Sequence, residues 1–113
     1  MTDETRRQAE RLGILDRLQA IETELLRFPT ITDVDFDVSN YDEIPQVIVL
    51  ARYEIYARNP KYIRLRHNTL SYILTVCAQH DLWPSGDRTE DQGEHWYIVR
   101  NIGDTWPRKE HTT

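Results

Sequence analysis

Three aspartates at alternate positions, Asp33, Asp35 and Asp37, are the first residues whose type and spacing suggest chemistry. Asp-x-Asp-x-Asp opens the calcium loop of an EF-hand. Here Val38 stands where that loop needs glycine, and no bidentate glutamate follows at the right distance. On a strand the three carboxylates spread over about 13 Å, too far apart to share one ion. A second group, His80, Asp81, Asp87, Asp91, Glu94 and His95, has zinc or general-base character. Its spacing matches no ligand motif. The chain has no glycine-rich phosphate loop, no Gly-x-Ser-x-Gly and no His-Glu-x-x-His. A small hydrolase or metal-dependent enzyme around His80 and His95 is therefore the third-ranked reading. No catalytic residue, metal or cofactor is assigned.

Cys77 is the only cysteine, so no disulfide forms within the chain. It lies in the apolar run Tyr72-Ile73-Leu74-Thr75-Val76-Cys77 and reads as a small buried thiol in a reducing compartment. The segment Arg58 to His67 holds Arg58, Lys61, Arg64 and Arg66 with no acid, and Tyr56 and Tyr62 are interleaved. Basic residues among aromatics suit a nucleic-acid surface, which makes nucleic-acid binding through residues 58–67 the alternative function. The whole-chain charge of −5 and pI near 5.3 weigh against a general polyanion binder.

Periodicity assigns these residues to helices and strands. The 113 residues suit one domain, placed at 1–103, with 104–113 expected as a mobile tail. No stretch approaches a membrane span, and charge from Asp3 onward leaves no signal region. A soluble cytoplasmic protein with no membrane partner is the expectation. Asp3 to Arg27 reads as one amphipathic helix, with Ile14, Leu18, Ile21, Leu25 and Phe28 on one face. Thr5 with Gln8, or Thr2 one turn earlier, would cap it, and Gly13 marks a weak point. Ile31 to Val38 alternates as a half-buried strand, and Ser39 to Pro45 is a polar turn region. Pro45 to Ile55 is the central strand: Val47, Val49, Ala51, Tyr53 and Ile55 share one face, and the opposite face is mixed.

Residues after Ala57-Arg58-Asn59-Pro60 admit two readings. Asn59 as cap with Pro60 next would start a helix at once. The alternation of Ile63 and Leu65 with Tyr62, Arg64 and Arg66 favours a third strand, Lys61 to Arg66, before a helix over Thr69 to His80. Leu82 to Gly93 reads as loop, with Trp83 packing against Pro84, and Glu94 to Asn101 as the last strand. Trp106 would be a packing anchor, and Trp96 falls on either face according to register.

The order α-β-β-β-α-β gives a two-layer α+β sandwich: a small mixed sheet with helices on one face and the other face open. The helix-strand-strand-strand-helix order over about Asp3 to His80 is similar to that of double-stranded-RNA-binding domains. Those place a lysine cluster at the start of the second helix, where this chain reads His67-Asn68-Thr69-Leu70-Ser71, so the family is not assigned. On the open face the strand pattern collects Asp33, Asp35, Asp37, Ile48, Leu50, Arg52, Arg64 and Arg66, with Tyr56 and Tyr97 or Val99 adding apolar surface. Apolar area beyond what solvation requires marks an interface. The leading reading is a non-catalytic interaction module that binds a protein partner, or itself as a homodimer, through that face.

Overall fold

Gly13 divides the N-terminal helix. In the computed structural model, which describes residues 1–41, 44–82, 89–91 and 96–102, the expected single helix is two: α1 (Asp3–Leu12) and α2 (Leu15–Leu25). Thr2 caps α1, its side chain accepting from the Thr5 N–H at 3.1 Å. Gly13 has φ 74°, and its N–H reaches Glu10 O while that of Ile14 reaches Ala9 O. This is the Schellman ending, in which a left-handed residue satisfies the last carbonyls and turns the chain. The turn brings Ala9, Ile14, Leu18, Ile21 and Leu25 into one buried cluster.

The alternating stretches form a long antiparallel hairpin, β1 (Ile31–Tyr41) with β2 (Ile44–Tyr53). The strands run further into the expected turn region of residues 39–45 than its polar composition suggests. Val34, Phe36 and Val38 stand opposite Ala51, Val49 and Val47, and all six are buried. A bulge between Ile31 and Asp33 shifts the register by one residue. It lets Ile31 stay in the core and turns Asp33 to the opposite face from Val34.

The third strand expected over Lys61 to Arg66 is helix. It forms the start of α3 (Tyr62–Gln79), so the strand-strand-strand order shared with double-stranded-RNA-binding domains is absent. The helix begins two residues later than an Asn59 cap would set it, with Lys61 as N-cap and no side-chain cap. Asn59 shapes the turn before it, its Oδ1 accepting from Lys61 N–H at 2.8 Å and its carbonyl from Tyr62 N–H at 2.9 Å. Tyr62, Leu65, Thr69, Ile73 and Val76 then follow one another at helical spacing on the inward side. Ile63, which the strand alternation would have paired with Leu65 on one face, is exposed. Two further strands, β3 (Thr89–Asp91) and β4 (Trp96–Ile102), complete a four-stranded sheet in the order β1-β2-β4-β3. Every pairing is antiparallel, so the expected mixed sheet is not formed. β3 lies inside the expected loop. Trp83, Pro84, Asp87, Glu94, His95, Trp106 and the expected tail 104–113 lie outside the described residues.

The architecture is a small α+β domain with helices over one sheet face and the other face open. Along β2, Val47, Val49, Ala51 and Tyr53 are buried while Gln46, Ile48, Leu50 and Arg52 are half-buried. The inner face meets Ile73, Val76 and Cys77 of α3 in the core. Each such side chain contributes roughly 1.5–3 kcal/mol on full burial. α3 is fixed to α2 by polar contacts as well. Tyr72 Oη donates to Glu24 O at 2.7 Å, and the Tyr72 ring stacks on Phe28 with centroids 4.5 Å apart. The buried Thr69 hydroxyl donates to Leu65 O at 2.7 Å and therefore accepts from Thr30 Oγ1.

Candidate functional site

Register assembles the open face row by row. Asp37 stands opposite Ile48, Asp35 opposite Leu50, and Asp33 opposite Arg52. On the other side of β2, Leu50 faces Ile98 and Arg52 faces Trp96. Directly opposed residues share a face. The result is an apolar stripe of Ile48, Leu50, Ile98 and Trp96 with an acidic row along β1 and Arg52 at one end. None of these residues is buried.

The acidic row is held from the edge of the sheet. Asp33 Oδ1 accepts from Val34 N–H at 2.9 Å, and Asp35 Oδ1 from Phe36 N–H at 2.8 Å. β1 is the end strand, so these side chains occupy donors that would otherwise invite another strand. α1 flanks the same edge: Thr5 Oγ1 donates to Asp37 Oδ1 at 3.3 Å, and the Met1 amine lies 2.9 Å from Asp35 Oδ1. The carboxylates are thus spread and individually engaged, an arrangement for a charged rim rather than for ion coordination. Arg52 Nη2 lies 3.6 Å from Glu54 Oε2. Its Nε is buried with no hydrogen-bond partner among the described residues. An unmatched buried donor of this kind costs about 1–3 kcal/mol.

Six of the eight sequence-selected residues share this face: Asp33, Asp35, Asp37, Ile48, Leu50 and Arg52. Arg64 and Arg66 do not, because they ride on α3 in the other layer. Tyr97 and Val99, expected to extend the apolar surface, are 7% and 0% exposed and belong to the core. Their neighbours Trp96 and Ile98 take the open face instead. Sequence offered only a weak signal here, since Trp96, Tyr97, Ile98 and Val99 are four large apolar residues in succession and either parity fills a core. Tyr56 follows β2 and leads into α3. It is 85% exposed, and Ile63 on the first turn of α3 is 82% exposed. Lys61 and Arg64 are exposed beside them, Arg66 is half-buried, and no acidic residue occurs between Glu54 and Asp81. The first turn of α3 contains no acid, although that end of a helix favours one.

Other reactive groups have structural roles. Burial pushes the Cys77 thiol up to about 12, which keeps it protonated and unreactive at neutral pH. His80 Nε2 lies 3.1 Å from Glu24 Oε1 and joins the end of α3 to α2. Among the described residues no group of three His, Cys, Asp or Glu side chains is placed to hold a metal. A shallow cleft of about 250 Å³ is lined by Glu10, Gly13, Leu15 and Asp16, and no described histidine or cysteine borders it. No described helix is long and apolar enough to cross a membrane. Compared with protein-family models, curated proteins and solved structures, the chain matches none.

Proposed function

We propose that the protein is a non-catalytic interaction module that binds another protein chain through its open sheet face. The observation that carries this reading is the apolar stripe of Ile48, Leu50, Ile98 and Trp96, bordered by Asp33, Asp35 and Asp37 and covered by no described helix. An apolar centre with a polar rim is the general anatomy of a protein interface. The nucleic-acid alternative draws support from the exposed basic start of α3, but that surface is small and the chain carries −5 overall. A polyanion gains affinity chiefly from phosphate contacts, and net negative charge opposes its approach.

The test is co-capture with wild-type and Leu50→Asp bait, together with sedimentation velocity for self-association. Leu50 is half-buried on the open side, so the substitution leaves the core intact. A partner or second copy held by the wild type and lost by Leu50→Asp supports the reading. Equal retention by both proteins refutes it.

A further inference from the structure

The start of α3 repeats the design of the open face with the charge reversed. We infer that copies of this chain dock head to tail, the open sheet face of one copy seating on the α3 start of the next. The inference rests on the open-face reading and names its occupant.

Four observations lead to it. First, Tyr56 and Ile63 are the most exposed large hydrophobic residues among those described, at 85% and 82%. Second, they are interleaved with Arg58, Lys61 and Arg64, inside a stretch from Ile55 to His80 that lacks any acid, although the chain as a whole is at −5. Third, the open face offers the complement: Ile48 and Leu50 for apolar contact, Asp33 and Asp37 for the cations. Fourth, the two surfaces belong to opposite layers of the sandwich, so they cannot meet within one chain. Complementary charge sets the register of such contacts and suppresses others. A face-to-face dimer would bring the acidic row to the strand positions of Arg52 and of Arg100, which the register sets opposite Ile48, but it would leave Tyr56 and Ile63 at the α3 start bare. A contact between two different surfaces of one chain does not close on itself in a pair, so it builds rings or open chains.

Two variants decide the matter. Lys61→Glu with Arg64→Glu reverses the α3 surface at exposed positions. Leu50→Lys places a like charge on the open face opposite the α3 cations. Circular dichroism establishes that both fold. The wild type, in sedimentation velocity at low ionic strength, should form species larger than a dimer that shrink as salt is added. Each variant alone should be monomeric. An equimolar mixture should give a dimer and nothing larger, because one variant keeps the open face and the other keeps α3.

A wild type that stays monomeric to millimolar concentration overturns the inference, and the capture test of the open face then stands alone. Assembly lost by Leu50→Lys yet kept by the α3 variant overturns the inference and retains the open-face reading. Assembly unchanged in both variants overturns the two together. Binding of a fluorescent single-stranded oligonucleotide by the wild type, lost in the α3 variant and without self-assembly, assigns α3 to nucleic acid and overturns the inference as well.

Discussion

At the scale of single residues, Gly13 and Cys77 carry predictions that need no partner. No heavy atom lies within 4 Å of where a Gly13 Cβ would sit, so Gly13→Ala meets no clash. What it meets is the left-handed backbone at φ 74°, which costs a residue with a side chain about 1–2 kcal/mol. Urea denaturation should report a loss of that size. Cys77 acts through pH. The thiol releases its proton near 9.0 in the unfolded chain and near 12 when folded. Above pH 9 the unfolded state binds fewer protons, so stability present below pH 9 is lost as pH rises towards 12. The slope from this group is at most about 1.4 kcal/mol per pH unit. Cys77→Ala should show a shallower alkaline decline than the wild type in denaturation series across that window. An unchanged slope would mean that Cys77 is accessible in the native state. The burial of Cys77 was legible from the apolar run around it, and the break at Gly13 was legible as a propensity defect. Its meaning as a turn was hidden, because Asp3 to Leu12 is polar helix-forming sequence that reads as a continuation of the apolar-faced helix starting at Ile14.

At the scale of elements, the instructive segment is Lys61 to Arg66. Ile63 and Leu65 alternate with polar residues, and two-residue alternation suggests a strand. The competing signal was Asn59 with Pro60, a local start for a helix, and it prevails because Tyr62 and Leu65 continue the inward face of Thr69, Ile73 and Val76. Packing on α2 and the sheet decides between two patterns that the short segment satisfies equally. The register of β4 was hidden in the same way, since Trp96 to Val99 are apolar at both parities and only pairing with β2 selects Tyr97 and Val99 for the core. The charges of α3 give a prediction at this scale. Arg64 stands in the first turn, where the helix dipole disfavours a cation. Arg64→Glu should therefore raise stability by about 0.3–1 kcal/mol in thermal melts at low salt. A gain in stability with a loss of assembly would separate what the fold wants from what the surface does. A destabilised variant would show instead that Arg64 supports the fold.

At the scale of the whole molecule, the two-layer arrangement can be tested on neighbouring residues of one strand. Val49 and Leu50 are adjacent on β2, and the architecture sends them to opposite sides. Val49 is fully buried against the helices and Leu50 is half-buried on the open face. This division was the most legible part of the fold, because the β2 alternation of Val47, Val49, Ala51 and Tyr53 needs no knowledge of the partner elements. The open face was legible for β1 and β2 and illegible beyond them, since its remaining members depend on which strand pairs next. Threonine is the right probe, as it keeps strand propensity while adding a hydroxyl. In Val49→Thr the hydroxyl enters a site without water, which should cost about 1–3 kcal/mol unless it finds a partner. In Leu50→Thr the hydroxyl can meet solvent, and the stability of the isolated monomer should change by less than about 1 kcal/mol. Association should respond in the opposite sense, weakened by Leu50→Thr and, at equal folded concentration, indifferent to Val49→Thr. Chemical denaturation and sedimentation velocity on the two variants read these effects separately. Equal destabilisation would mean that the second face is also covered in the monomer, and the interaction surface would have to be sought on α3 alone.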